Sequence, residues 1–323
     1  MAQHNAKIDV LVSEVGPRDG LQSIDRIMPL EAKKAWVRAE AAAGVREIEV
    51  GSFVPASLLP QLADTAELVA YAKTLQGLTV AVLVPNLRGA QAAIAAGADK
   101  LTLPLSVSET HSLRNVRRTH PQMLDEARAI AALVREQPAG RRPSFEGSLS
   151  TAFGCTIEGP IPDATLTRLA EGLMDAGCDE VGLSDTSGYA NPAQVKRLIK
   201  LIRGVVGDAA LNGVHLHNTR GLGLANALAA LDMGLTTLDS SLGGIGGCPF
   251  APGASGNIVT EDLVFMLESM GLRTGIDLEA LLSVHELVAK SLEGELMYGF
   301  LPDAGIPLGH RPAATSSPHP VGA

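Results

Sequence analysis

The chain of 323 residues has few aromatic residues, few cysteines and no excess of positive charge. Aromatic residues make up 3% of the sequence, which argues against a surface that stacks the bases of a single-stranded nucleic acid. The net charge of -9 also disfavours nucleic acid or an anionic membrane as the main partner. An anionic small substrate would therefore need arginines placed locally to hold it.

Long apolar runs are missing as well. Residues 1–7 contain no apolar segment of the kind found in signal peptides, and no later run reaches the roughly 18 apolar residues expected of a membrane span. Cys155, Cys178 and Cys248 are odd in number and far apart, so neither a disulfide framework nor a structural zinc site is indicated. These absences predict a soluble, cytoplasmic protein without a membrane partner.

Short β-branched strands alternate with helical segments along the chain. Hydrophobic residues make up 46% of it, dominated by Ala, Leu, Val and Gly, which suits helices packed on parallel strands. The strands are predicted at 8–14, 46–50, 78–84, 100–104, 144–150, 180–183, 213–217 and 236–240. The intervening helices are predicted at 30–43, 60–75, 87–96, 121–136, 163–176, 192–205 and 222–233.

Eight strands that alternate with helices predict an α/β fold, a (β/α)8 TIM barrel with its active site at the carboxyl ends of the strands. A doubly wound open sheet is the alternative, but no GxGxxG follows the first strand. The barrel domain is predicted to span 8–301. It includes two further helices, at 258–270 and 278–298, that would form a lid or the subunit contact of a homo-oligomer. Residues 302–323 are predicted to be a flexible tail.

Polar residues gather at or just after the predicted strand ends, and they include Arg18, Asp19, Glu49 and Asp185. The first of these ends runs into the segment 15–22, VGPRDGLQ, which is predicted to be irregular.

Two histidines belong to the same set. His215 and His217 are two residues apart in a predicted strand, so their side chains would point to the same side. With Asp19 and the amide oxygen of Asn257 they would suit an octahedral ion such as Mg²⁺, Mn²⁺ or Co²⁺, with Zn²⁺ binding in vitro also open. The alternatives are hydrogen-bonded core histidines and an Asn257 that caps the next helix.

The segment 243–257, GGIGGCPFAPGASGN, is too rich in glycine and proline to continue as helix or sheet. It is predicted to be a loop that can approach a ligand, with Cys248 at its centre. A divalent ion that chelates a substrate hydroxyl and carbonyl would acidify the hydroxyl, and cleavage of the adjacent carbon–carbon bond would leave an enolate.

In this chemistry Arg18 would stabilise the enolate and Cys248 would deliver a proton. Glu49 and Asp185 would be acid/base groups or would orient ligands. The alternative for Cys248 is a small packed residue.

Together, VGPRDGLQ at 15–22, the HxH at 215–217 and GGCPFAPGASGN at 246–257 resemble the 3-hydroxy-3-methylglutaryl-CoA lyases of the metal-dependent lyase barrels. The resemblance spans about residues 9–301. It implies cleavage of a 3-hydroxyacyl-CoA to acetyl-CoA and a keto acid, acetoacetate in the parent case. The implied metal ligands are Asp19, His215, His217 and Asn257. The implied catalytic and supporting residues are Arg18, Cys248, His215, Glu49, Asp185 and Glu261.

An acyl-CoA substrate needs positive charge for its phosphates, and an acidic protein must concentrate that charge locally. The connection 106–118 supplies Arg114, Arg117 and Arg118, with Arg220 the next candidate. A solvated run of charges is the alternative.

The sequence departs from the family pattern at two places, so the identity of the substrate ester is not determined by the resemblance. Many of these lyases have a basic residue where this chain has 23–25, SID, and a variant of HCHDTYG where it has 215–221, HLHNTRG. Citramalyl-CoA and longer isoprenoid glutaryl-CoA esters such as isohexenylglutaryl-CoA are the alternative substrates. A condensing acyl-CoA synthase and a non-catalytic metabolite-binding barrel are the alternative functions.

Overall fold

The computed structural model describes residues 8–246 and 256–313. Its eight strands pair in parallel, each with the next in sequence, and β1 pairs with β8 to close the barrel. The predicted (β/α)8 fold is confirmed. The strands are β1 (Leu11–Glu14), β2 (Glu47–Ser52), β3 (Thr79–Leu83), β4 (Lys100–Ser106), β5 (Ser144–Ser150), β6 (Glu180–Ser184), β7 (Gly213–His215) and β8 (Thr237–Ser240).

Helices surround the barrel, and three of them end at a glycine in the left-handed region, Gly44, Gly97 and Gly177, where a side chain would be strained. Apolar helix faces pack on the strands, and Trp36 and Val37 of the first helix are fully buried. The helices are α1 (Leu30–Ala43), α2 (Thr65–Ala72), α3 (Leu87–Ala96), α4 (Glu109–Asn115), α5 (His120–Arg135), α6 (Asp163–Ala176), α7 (Pro192–Val206), α8 (Gly223–Asp232), α9 (Thr260–Ser269), α10 (Leu278–Ser291) and α11 (Leu301–Ala304).

Three segments differ locally from the prediction. Gly16–Gly20 forms one π-helical turn within the segment predicted to be irregular. The predicted helix 60–75 is divided into a short 3-10 turn, Pro60–Leu62, and α2. The basic connection contains α4, which is only seven residues long but has its first turn capped by the Ser108 side chain. Such short pieces depend on caps and packing more than on periodicity.

The end of the described chain is packed against the barrel. α10 ends at Ser291, seven residues before the predicted end at 298. Beyond it, the backbone N–H of Ala313 donates to Oε2 of Glu268 at 2.7 Å, and the rings of Phe265 and His310 lie 5.3 Å apart. These contacts lie within 302–313, the described part of the segment predicted to be a flexible tail, and that prediction stays a prediction. Within 8–246 and 256–313, no helix has the length and apolar character needed to cross a bilayer.

Candidate metal site at the carboxyl end of the barrel

The π-helical turn after β1 places Arg18 and Asp19 at the mouth of the barrel. Gly16 is required there because a Cβ at this position would meet Oε1 of Glu14 at 2.5 Å and Trp36 at 2.8 Å. Within the turn, Nη1 of Arg18 donates to Oδ1 of Asp19 at 2.5 Å. Burial disfavours the charged form of Asp19, but Arg18 and the nearby histidines outweigh it and hold the pKa of Asp19 well below its ordinary value. The carboxylate is therefore ionised and available as a ligand.

Two histidines at and just after the end of β7 complete a cluster with Asp19. His215 ends β7, and His217 lies in an isolated bridge with Asn257. The Nε2 atoms of the two rings lie 3.0 Å apart, and Oδ2 of Asp19 is 3.9 Å from Nε2 of His215 and 3.7 Å from that of His217. One ligand atom from each residue falls within 4.8 Å of the others, which is a possible metal site. The predicted same-side placement of the histidines is confirmed.

Asp239 on β8 orients His215, and the sequence analysis did not single it out. Its Oδ2 lies 3.1 Å from Nδ1 of His215, so the ring donates from Nδ1 and leaves the lone pair of Nε2 for the site. Burial lowers the pKa of His215, but the hydrogen bond to Asp239 and the charge of Asp19 raise it more, so the net shift is upward. The sequence feature that could have pointed to Asp239 is that an acidic residue lies inside the predicted strand 236–240.

Asn257 has the properties of a fourth ligand. Its Nδ2 donates to Oδ2 of Asp19 at 2.8 Å and to the carbonyl of Ile245 at 3.1 Å. Its Oδ1 is buried and has no hydrogen-bond partner among the described residues, which suits an oxygen that binds a cation. Gly246 permits this approach, because a Cβ there would meet Nδ2 of Asn257 at 2.5 Å. Val259, rather than Asn257, caps α9, so the alternative role as an N-cap is wrong.

Glu49 and Asp185 lie in different surroundings. Oε2 of Glu49 accepts from Nε of Arg18 at 2.5 Å, and burial raises the pKa of this carboxyl despite the neighbouring guanidinium. Asp185 accepts the backbone N–H groups of Tyr189 at 2.8 Å and Ala190 at 3.1 Å, so it holds its own loop. Glu49 thus contacts Arg18, whereas the hydrogen bonds of Asp185 lie within its own loop.

The site opens into a cavity of about 730 Å³. Asp19, His215 and His217 line it, and so do Arg114, Arg117 and Arg118. Arg118 also pairs with Glu126 at 2.8 Å. The three arginines of the basic connection therefore line the same cavity as the candidate metal ligands.

Arg220 lies elsewhere. Its Nη1 donates to the carbonyls of Ser187 and Gly188, both at 2.9 Å, and its guanidinium stacks 4.6 Å from the ring centre of Tyr189. It lines a separate cavity of about 490 Å³ with Arg197. Arg220, the next candidate for a phosphate contact, therefore does not line the main cavity, because local carbonyls and a ring hold its side chain beside the second one.

Glu261 supports the loop rather than the cavity. It accepts the backbone N–H of Gly243 at 3.0 Å and a hydrogen bond from Nδ1 of His285 at 2.5 Å. Cys248, the predicted proton donor, lies outside the described residues. The loop is therefore described only at its two ends, which Glu261 and Asn257 hold.

A charged cluster inside the barrel was not predicted either. Nζ of Lys100 lies 2.8 Å from Glu146, 3.1 Å from Glu180 and 3.7 Å from Glu47. These residues occupy the early positions of their strands, and Lys100, Glu146 and Glu47 line the lower part of the cavity. The sequence predicts an active site at the carboxyl ends of the strands, and these four residues lie near the opposite ends.

The fold and the site define a (β/α)8 barrel with a candidate metal centre at its carboxyl end. A family model described as HMGL-like matches residues 9–288, and the chain belongs to this family of carbon–carbon lyases. The predicted resemblance is therefore confirmed.

Among curated relatives, a hydroxymethylglutaryl-CoA lyase of Bacillus subtilis is 39% identical over 285 residues, which is 88% of this chain and 93% of that protein. The mitochondrial hydroxymethylglutaryl-CoA lyase of Arabidopsis thaliana is 39% identical over 283 residues. This chain spans 59% of the plant protein's length.

Solved structures give the same relationship. An HMG-CoA lyase from Acinetobacter baumannii in complex with coenzyme A and 3-methylmalate has a TM-score of 0.86 and 40% identity, and covers 95% of this chain and 99% of its own. The carboxyl transferase domain of Rhizobium etli pyruvate carboxylase, at 18% identity and a TM-score of 0.68, shares the fold alone.

Proposed function

We propose that this barrel is a divalent-metal-dependent lyase that cleaves 3-hydroxy-3-methylglutaryl-CoA to acetyl-CoA and acetoacetate. The observation that carries the proposal is the approach of Asp19, His215 and His217 to one point beside Arg18, at the mouth of a large cavity. The named relatives, including one complexed with coenzyme A, support the choice of an acyl-CoA substrate.

One carboxylate, two imidazoles and the amide oxygen of Asn257 would hold the ion. Nitrogen and oxygen ligands without a thiolate favour Mg²⁺ or Mn²⁺, with Co²⁺ and Zn²⁺ as ions that would bind in vitro. When bound, a divalent ion supplies Lewis acidity to the substrate's hydroxyl and carbonyl oxygens.

Arg18 provides a fixed positive charge next to this point. Burial disfavours that charge, but Glu49 and Asp19 raise the pKa of the guanidinium above its ordinary value, so it stays charged. The two carboxylates also fix its orientation through Nε and Nη1. A guanidinium held in this way stabilises the enolate that forms when the carbon–carbon bond breaks, because it needs no reorganisation. Cys248 is proposed to return a proton to the enolate carbon.

The basic wall of the cavity is proposed to bind the phosphates of coenzyme A, because arginine matches phosphate geometry. The acyl end would then lie towards the metal cluster. Gln22 and Ser23 also line this cavity, so the segment in which the chain departs from the family pattern lies where it can affect the choice of ester.

The test is a panel of esters assayed with the purified, metal-loaded protein, following the release of acetyl-CoA or the corresponding product. The panel contains 3-hydroxy-3-methylglutaryl-CoA, citramalyl-CoA and a longer isoprenoid glutaryl-CoA ester. The first should give the highest kcat/KM, and Arg18→Gln should abolish its cleavage while metal binding persists. Cleavage of none of the esters by protein shown to contain metal would reject the proposal, and a preference for another ester would correct the substrate.

A further inference from the structure

A cluster of buried carboxyl groups lies behind the metal site, and the proposed chemistry does not use it. Glu14 at the end of β1, Glu40 on α1 and Glu261 on α9 are each 0% exposed. In the described part of the chain, none of the three lines the main cavity. Burial of a carboxyl group without hydrogen-bond partners is costly. The partners of these three groups therefore indicate what each group does in the fold.

Glu14 connects three segments that carry the site. Its Oε1 accepts the backbone N–H of Gly16 at 2.7 Å and that of Leu242 at 3.0 Å, and its Oε2 accepts from the hydroxyl of Thr260 at 2.7 Å. Gly16 begins the turn that bears the metal-site carboxylate, Leu242 leads into the glycine-rich loop, and Thr260 begins the helix just after Asn257. One carboxyl group therefore fixes the relative positions of these segments.

Glu40 lies against Glu14 from the helix side. Its Oε1 accepts from Nε1 of Trp36 at 2.7 Å, and its Oε2 is buried without a donor among the described residues. A side-chain hydrogen bond with Glu14 is one of the causes that raise the pKa of Glu40. Two carboxyl oxygens can share a hydrogen bond only when one group is protonated. Glu14 has three donors and Glu40 has one, so the proton belongs on Glu40.

The surroundings keep the pair from losing that proton. Burial is the main cause that raises the pKa of both Glu14 and Glu40, and the bonds from Thr260, Leu242 and Gly16 oppose that rise at Glu14. The charge of Glu261 on α9 adds to both shifts. Beyond it, His285 on α10 donates to Glu261 and faces the same cluster.

We propose that Glu40 is a positioning residue for the metal site: as a neutral carboxylic acid it donates to Glu14 and so fixes the anion that holds the three site-bearing segments together. The inference rests on the proposed metal site and is independent of which ester is cleaved. It predicts an effect on metal affinity from a side chain that touches neither the metal ligands nor the cavity.

The first test is the affinity of the purified protein for Mn²⁺, measured by calorimetry at neutral pH. Glu40→Gln keeps both bonds, since its amide accepts from Trp36 and donates to Glu14, and it should bind Mn²⁺ as the unchanged protein does. Glu40→Leu removes both bonds and should weaken binding about tenfold, the lower end for outer partners of metal ligands. Trp36→Phe is the matched control, because it removes the indole donor but leaves the carboxyl pair.

The second test is the pH dependence of stability in denaturant titrations. A glutamate with a raised pKa contributes stability below its ordinary pKa, and this is lost as pH rises towards the raised value. Glu40→Gln cannot lose a proton, so its stability relative to the unchanged protein should increase as pH rises above 4.5, the ordinary pKa of a glutamate. If Glu40→Leu does not fold, the pH dependence of the stability of Glu40→Gln tests the inference by itself.

The inference would be overturned by a Glu40→Gln protein with weakened Mn²⁺ binding, or by a stability difference that does not change with pH. A Glu40→Leu protein that folds and binds Mn²⁺ normally would also overturn it. Failure of the unchanged protein to bind Mn²⁺ at all would instead refute the proposed metal site, and the two failures are thereby distinguished.

Discussion

The Nε2 atoms of His215 and His217 face each other at 3.0 Å. Asp239 occupies the other nitrogen of His215, so the Nε2 of that ring presents a lone pair. Two imidazole nitrogens in this position require a proton or a cation between or beside them. Oδ2 of Asp19 lies less than 4 Å from both nitrogens, so three candidate ligand atoms surround one point where a cation could bind.

Asp239 should control metal affinity through His215. Asp239→Ala removes the acceptor that fixes the ring, and it should weaken Mn²⁺ binding by about 10-fold to 100-fold, the usual cost of losing such a partner. Calorimetry with the purified protein measures this. Asp232→Ala is a matched control, because Asp232 is exposed and pairs only with Lys196 in the described part of the chain. Equal affinities in the two variants would show that His215 needs no orienting partner.

The basic wall of the cavity should determine KM. Replacing Arg114, Arg117 and Arg118 together by Gln should raise KM more than it lowers kcat, because contacts remote from the reacting bond stabilise substrate and transition state alike. Arg128→Gln is the control, since its side chain pairs with Asp125 on an exposed helix surface. Arg220→Gln should also have little effect, because its guanidinium lies outside the main cavity. An unchanged KM in the triple variant would place the phosphates elsewhere.

Cys248 is predicted to be the proton donor. Cys248→Ala should lower kcat by roughly 10²-fold or more, as expected for a lost general acid, while fold and metal affinity persist. Alkylation should be selective for this thiol, because Cys155 and Cys178 are buried and burial raises the pKa of Cys178 to about 12. Bound substrate should slow the alkylation. A variant with nearly full kcat would mean that the thiol only packs and that Glu49 or a histidine delivers the proton.

The pair between His285 and Glu261 should make stability depend on pH. The hydrogen bond to Glu261 raises the pKa of His285 above its ordinary value of 6.5, and burial opposes this only in part. A raised histidine pKa stabilises the fold fully below about 6.5, and the contribution is lost as pH rises through the folded value. Denaturant titrations from pH 6 to pH 8 should therefore show a smaller decrease of stability in His285→Gln than in the unchanged protein. Parallel curves would contradict this.

The sequence predicts the barrel because each strand and helix carries its own local signal, and it predicts the core of the site because parallel strands bring their carboxyl ends together. Asp19, His215 and His217 follow from that rule together with the two-residue spacing of the histidines. Asp239 does not, since its contact with His215 depends on the register of β7 and β8, in which the two residues are direct neighbours. Long-range register of this kind is invisible in a single sequence.

Contacts between residues far apart in the sequence are the other features that could not be predicted from it. Arg220 was grouped with the other arginines by charge, but the carbonyls that hold it belong to the loop after β6. The pairing of Glu14 with Glu40 likewise depends on how α1 packs behind the first turn. Residues 302–313 are rich in proline and glycine, yet the contact of Ala313 with Glu268 keeps their far end on the barrel. In each case tertiary packing overrides a local or compositional signal.

The central claim is that cleavage requires a divalent ion held by Asp19, His215 and His217. The most direct measurement follows acetyl-CoA release from 3-hydroxy-3-methylglutaryl-CoA by chelator-treated protein before and after Mg²⁺ or Mn²⁺ is added back, with His217→Ala alongside. Cleavage should be absent after chelation, return with either ion in the unchanged protein, and stay at least 10²-fold lower in the variant, by roughly the cost of losing a ligand or catalytic group. Full cleavage by metal-stripped protein, or full recovery in His217→Ala, would contradict the claim.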